Sequence, residues 1–231
     1  KAKAAAQKDE VSEAPVDLTT AIIRTQKVID RLPKEREKNI IVAPPYYMNN
    51  RKLFVQKMAV LFEPRRKEML STKETISCDR GQSDAFDLLT HQKIVRDYLN
   101  LYTPYRGLLL YHGLGSGKTC TSIAIAEGMK TNKQIIVMTP ASLKMNFFSD
   151  MKKCGDDLYK KNQHWEFVPI EGNPEYVGIL SRALSLSSQT VRENGGAWLV
   201  NVNNPANFTE KTTEEQAAID TQLNEMIRAK Y

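Results

Sequence analysis

The spacing of apolar residues changes along this chain, and each change predicts an element. From Leu18 they recur at Ile22, Val28, Ile29 and Leu32, a helical stripe that Pro33 stops. Ile40–Ala43 reads as a short strand ahead of Pro44 and Pro45. Asn50 then caps an amphipathic helix bearing Leu53, Phe54, Met58, Leu61 and Phe62, which Pro64 ends. Leu89–Leu101 is a third helix, with Thr90 at its cap and Ile94, Val95, Tyr98 and Leu99 on its apolar side. Past Pro104 and Gly107 the period collapses into a continuous apolar run, Leu108–Tyr111, and a second run follows at Gln134–Met138. Such runs fit the middle of a parallel sheet, where both faces of a strand are covered. Cys120–Met129 between them is helical, as is the segment carrying Leu143, Phe147, Met151 and Cys154, which Gly155 closes. Trp165–Pro169 and Trp198–Val202 are two more strands, separated by a helix around Tyr176–Leu186. Thr212 and Glu215 form a capping box for a last helix bearing Ile219, Leu223, Met226 and Ile227. The alternation predicts an α/β fold, an open parallel sheet with helices on both faces and ligands at the carboxyl ends of its strands.

Length and composition refine this outline. A chain of 231 residues can hold one sizeable α/β domain plus a smaller appendage. The boundary falls near Ser83: residues 1–82 form a mostly helical N-terminal appendage, and residues 83–231 form the main domain. Lys1–Pro15 is Lys/Ala-rich, a flexible lead-in, and Lys34–Lys38 is a solvated charge run. Lys and Arg total 33 against 27 Asp and Glu, a net charge of +6 that suits a nucleic-acid partner as well as an ordinary solvated surface. Cys78, Cys120 and Cys154 are widely spaced and read as free thiols in a reducing compartment. His91, His112 and His164 have no metal-ligand spacing. No apolar run approaches the ~18 residues of a membrane span, so no membrane partner is expected. Both ends read as cut, with no initiator Met and a final helix that lacks a closing Gly or Asn.

The chemistry concentrates at Leu108–Glu127, LLLYHGLGSGKTCTSIAIAE. Between strand and helix, Gly113, Gly115 and Gly117 let the backbone turn so that successive N–H groups point inward, ready for polyphosphate. Ser116 belongs to the same loop, Lys118 adds a point charge for the β- and γ-phosphates, and Thr119 offers a hydroxyl to Mg²⁺. The usual G-x-x-x-x-G-K-[ST] pattern opens with Gly; here that position is His112. Upstream, Gln92 can present its amide to an adenine edge, or sit as an ordinary polar residue of its helix. Downstream, TPASLKMNF (Thr139–Phe147) brings hydroxyls on Thr139 and Ser142, a helix start and Lys144 within reach of a strand's phosphates. Its simpler reading is a strand end before a helix started by Pro140.

In this order the three segments resemble the Q-type motif, motif I and motif Ia of superfamily 2 helicases and translocases. TPYRGLLLYHGLGSGKTC, IVMTPASLK and GGAWLVNV are closer still to the helicase-like ATPases of nucleocytoplasmic large DNA viruses. That group includes the poxvirus early transcription factor and termination-factor ATPases and their relatives in giant viruses and asfarviruses. The resemblance covers roughly Phe86–Tyr231. It implies a RecA-like core, a P-loop NTPase using ATP with Mg²⁺, stimulation by nucleic acid of either kind, and a place in the virion and host cytoplasm during early transcription. It gives Gln92 the adenine, and Gly115, Ser116, Gly117, Lys118 and Thr119 the phosphates and Mg²⁺. Thr139, Pro140, Ser142 and Leu143 fall on the strand-contacting motif. A second RecA-like domain, viral RNA polymerase and other virion proteins are the implied partners.

Superfamily 2 enzymes also need an acidic pair after a buried strand, and no apolar run here is followed by Asp-Glu. Trp198–Val202 is followed by Asn203 and Asn204. Phosphoryl transfer needs both charge neutralisation and a positioned water, and this piece supplies the first. The expectation is therefore the ATP-binding part of a helicase or translocase, inactive by itself. The alternatives are a non-catalytic P-loop component of a virion or transcription complex, and a kinase without nucleic acid. The kinase would need a lid and arginines after the loop, which are not seen after Ile125.

Overall fold

A computed structural model describes residues 17–34, 50–73, 88–99, 107–130 and 134–231. The lead-in at Lys1–Pro15 and the strand expected at Ile40–Ala43 lie outside them. In chain order the elements are β1 (Ile22–Ile23), β2 (Gln26–Lys27), α1 (Val28–Arg31), α2 (Arg51–Lys73), α3 (Thr90–Tyr98), α4 (Lys118–Met129) and α5 (Lys144–Cys154). They continue with β3 (Trp165–Pro169), α6 (Tyr176–Leu184), α7 (Ser188–Glu193), β4 (Gly196–Val200) and α8 (Thr213–Lys230). By contact the described residues form two compact units, those within 1–33 and 162–222, and those within 34–161 and 223–231.

In the first unit the stripe expected from Leu18 is not one helix. The β-branched Ile22 and Ile23 instead pair with Gln26 and Lys27 in a hairpin, turned at Arg24 with φ +58°. Helix begins only at Val28. β3 and β4 arise where strands are expected, β4 shifted two residues toward the N-terminus. They pair antiparallel, with Phe167 opposite Trp198 and their rings 5.4 Å apart. Gly195 and Gly196 take φ +65° and +153°, and a Cβ on Gly196 would strike the Val168 carbonyl. Every residue of β4 is buried, and α6 and α7 pack on it. The Thr212–Glu215 capping box forms as expected: Glu215 N–H donates to Thr212 Oγ1 at 3.2 Å, and Thr212 N–H to Glu215 Oε2 at 3.0 Å.

In the second unit α2 begins at the expected cap, with Leu53 N–H donating to Asn50 Oδ1 at 3.1 Å. It does not end at Pro64. An interior proline removes one helical bond at a cost of about 3 kcal/mol. Side-chain pairs flank the site, Arg66 with Glu63 at 3.4 Å and Arg65 with Glu68 at 3.1 Å. Arg65 also reaches Asp97 of α3 at 3.2 Å, and the Thr90 hydroxyl donates to Glu68 at 3.3 Å, so this stretch of α2 is held against α3. α3 packs on α4, and α4 on α5. Gly155 closes α5, where a Cβ would meet the Met151 carbonyl. Cys120 and Cys154, expected to be separate thiols, form a disulfide between α4 and α5 with Cα atoms 5.4 Å apart. Their separation of 34 residues is no sequence signal; helix packing brings them together.

The expected parallel sheet is not formed among the described residues. Leu108–Tyr111 and Gln134–Met138 are neither helical nor paired. Their apolar side chains face solvent, Leu109 87%, Tyr111 94% and Met138 92% exposed. A central strand needs a neighbour at each edge to take its backbone N–H and C=O groups, and no described segment supplies one. Among the described residues the fold is mixed α/β with two small antiparallel sheets.

Candidate functional site

The glycine loop, residues 112–117, runs directly into α4. Gly115 and Gly117 adopt φ +79° and +76°, which a side chain would strain. A Cβ on Gly113 or Gly115 would meet nothing within 4 Å, so their backbone is open to a ligand. A Cβ on Gly117 would come within 2.5 Å of Gln92 Nε2, so that glycine also makes room for a neighbour. The first bonds at the start of α4 are Thr121 N–H and Thr121 Oγ1, both donating to Gly117 O, at 3.0 and 3.1 Å. The amides of Lys118, Thr119 and Cys120 precede that turn and carry the partial positive charge of a helix N-terminus.

The loop carbonyls have partners on the other side. Ser116 Oγ donates to Gly113 O at 2.9 Å, and Lys118 Nζ donates to Gly113 O at 2.9 Å and His112 O at 3.1 Å. From α3, His91 Nε2 donates to Ser116 O at 3.0 Å and Gln92 Nε2 to Gly117 O at 3.2 Å. Gln92 Oε1 meanwhile accepts from Leu89 N–H at 2.9 Å, capping α3. Gln92 is thus buried and tied to the loop, in addition to any role toward a base. Thr119 is exposed at the start of α4, its carbonyl taken by Ser122 Oγ at 2.7 Å. Gln92, Gly113, Gly115, Ser116, Gly117, Lys118 and Thr119 are brought into one site.

Thr139, Ser142 and Lys144 stand apart from this network. A 3-10 turn at Ala141–Leu143 leads into α5, and all three side chains are exposed. α5 nevertheless packs on α4, the helix that starts at the loop. At the far end of α4, Lys130 pairs with Glu127 at 2.5 Å and Asp156 at 2.8 Å, beneath the Tyr159 ring. Burial pushes the Tyr159 phenol up to about 12 against the pull of Lys130. Tyr231 donates to Glu127 at 2.7 Å. This cluster anchors the end of α4.

The first unit has a polar cleft of about 180 Å³ lined by Arg24, Gln26, Arg31, Glu166, Asn201 and Asn204. Most of its groups face one another, while the buried Arg31 Nε has no hydrogen-bond partner among the described residues. Glu166 pairs with the buried Arg31 and with Arg24 at 3.6 Å, and accepts from Asn201 and Asn204 at 3.4 Å.

The chain has relatives among known proteins. Two proteins of Acanthamoeba polyphaga mimivirus, each named "Putative ATP-dependent RNA helicase", are similar to this chain. One is 51% identical over 92 residues, 38% of this chain and 16% of the relative. The other is 31% identical over 187 residues, 78% of this chain and 15% of the relative. A "Putative helicase" of Invertebrate iridescent virus 3 is 39% identical over 79 residues, 28% of this chain and 8% of that protein. This chain is a homologue of helicase-like proteins of large DNA viruses. It spans about a sixth of the length of the mimivirus relatives. No family model matches the chain, and no solved structure matches it. Homology to helicases implies a P-loop NTPase, in keeping with a glycine loop at a helix start.

His91 is the site residue that sequence reasoning missed. It stands beside Gln92, but a bond from its ring to a loop carbonyl leaves no pattern in the sequence.

Proposed function

We propose that this chain is the ATP-binding part of a superfamily 2 helicase- or translocase-type ATPase that acts on nucleic acid. The observation that carries the reading is the loop itself: carbonyls held by α3, Ser116 and Lys118, glycines at positive φ, and helix-start amides ahead of the first helical bond. The residues fit a polyphosphate. The Gly115, Gly117 and Lys118 amides would take phosphate oxygens, and Lys118 would exchange two carbonyls for phosphate charge. Thr119 would offer its hydroxyl to the Mg²⁺ carried with the nucleotide, an ion that neutralises phosphate charge. Gln92 would read the adenine edge with the hydrogen-bonding capacity it has left.

In this reading Leu108–Tyr111 and Gln134–Met138 are strands of a RecA-like sheet, and their solvent-facing apolar side chains are the surface that sheet would cover. A second RecA-like domain of the same protein would close on the nucleotide and supply what hydrolysis still needs. Thr139, Ser142 and Lys144 would grip a strand by its phosphates. RNA is a candidate strand because the mimivirus relatives carry that word in their names. Early transcription or its termination, in the virion and host cytoplasm with viral RNA polymerase as neighbour, is the setting.

The strand grip is tested by single-stranded binding across a salt series. Phosphate contacts carry no base information, so Ser142→Ala with Lys144→Ala should weaken unrelated sequences alike. The salt slope should fall by about one unit for the lost lysine. An unchanged slope, or a loss confined to one sequence, contradicts the grip.

A further inference from the structure

We infer that His91 is a positioning residue for the phosphate loop, which it orients through the Ser116 carbonyl while the ring of His112 braces it. This rests on the reading of the loop as an ATP site, and it gives a role to two histidines that reading leaves idle.

In a trans peptide the C=O of one residue and the N–H of the next point in opposite directions. The described residues contain no cis bond. A donor that fixes a carbonyl therefore fixes the following N–H as well. His91 Nε2 on Ser116 O aims the Gly117 N–H away from α3, and Gln92 Nε2 on Gly117 O does the same for the Lys118 N–H. Those are two successive amides of the proposed phosphate cradle. Glycines at φ +79° and +76° would otherwise leave these peptides free to rotate, because glycine reaches several backbone regions at similar cost. The tautomer follows from the acceptor: a carbonyl takes a proton, so Nε2 of His91 carries one.

His112 supplies the second half. It occupies the position where the common motif has Gly, and its ring lies 5.5 Å from that of His91 at 81°. An imidazole held edge to face by another cannot swing away from Ser116 without losing that contact. The departure from the motif thus has a physical use here. The side chain at 112 fixes the side chain that fixes the loop.

The test compares three variants of this chain, titrated with a fluorescent ATP analogue and with inorganic tripolyphosphate in competition. His91→Phe keeps a ring against His112 but removes the donor. It should weaken ATP and tripolyphosphate in the same proportion, roughly three- to tenfold, since one neutral hydrogen bond is at stake and it touches only the phosphate cradle. His91→Gln places an amide donor near the position of Nε2 and should restore most of the affinity for both. Lys118→Ala reports on the ATP site itself and should weaken both ligands more than either His91 variant. If Lys118→Ala binds like the parent, the ATP site is wrong and the inference falls with it. If Lys118→Ala fails to bind while His91→Phe matches the parent, the site stands and His91 does not position it. If Phe and Gln weaken binding alike, no donor is needed at 91 and the inference is overturned.

Discussion

Lys118 holds two loop carbonyls, so its ammonium is already partnered before any ligand arrives. A phosphate must compete with Gly113 O and His112 O, and it wins through charge: its oxygens carry full negative charge, where a carbonyl offers the ammonium only a dipole. Gln92 is committed in a similar way, with its amide nitrogen on Gly117 and its amide oxygen on Leu89. Gln92→Ala should therefore weaken tripolyphosphate as well as ATP, with the larger loss for ATP because the adenine contact goes too. Parallel titrations of the two ligands check this; equal losses would assign Gln92 to the loop alone. The sequence made Lys118 and Thr119 legible because their chemistry is local, set by neighbours within one loop. The bonds from His91 and Gln92 span 25 residues, and no periodicity encodes which helix residue meets which carbonyl.

The elements that could be read were those with local signals. The Asn50 cap, the Thr212–Glu215 box and Gly155 each mark a real boundary, since caps act within one turn. The hairpin at Ile22–Lys27 and the helix that continues through Pro64 were hidden, because contacts between elements decide them. The tie between Arg31 and Glu166 is one such contact. Arg31 is 2% exposed, and Glu166 sits beside it with Asn201 and Arg24. Burial would raise the Glu166 carboxyl, but Arg31, with help from Asn201 and His164, holds the group below its usual 4.5. A carboxylate with a depressed folded value stabilises above its unfolded value and loses that contribution as pH falls through the folded one. Thermal melts should show stability declining below about pH 4.5, and Glu166→Gln should flatten that decline. The same variant should cost roughly 1.5–3 kcal/mol near neutral pH, because it weakens a charge-assisted bond to a buried guanidinium. An unaltered acid limb in Glu166→Gln would contradict the tie.

At the scale of the whole molecule, the α/β class was legible, and the parallel sheet is not formed among the described residues. Apolar runs at Leu108–Tyr111 and Gln134–Met138 advertise strands, yet a strand becomes one only beside a partner, and the described residues provide none. The helicase relationship carries the same lesson, since this chain matches only about a sixth of each mimivirus relative. Residues 1–231 alone should accordingly bind Mg·ATP without steady-state turnover, with or without nucleic acid. Binding is the decisive property. Titration of a fluorescent ATP analogue into the chain and its Lys118→Ala variant tests the account most directly. Binding should be saturable and displaced by tripolyphosphate, with a loss of about ten- to a hundredfold in Lys118→Ala, the worth of one charge-assisted phosphate contact. Equal affinity in the two proteins would contradict it.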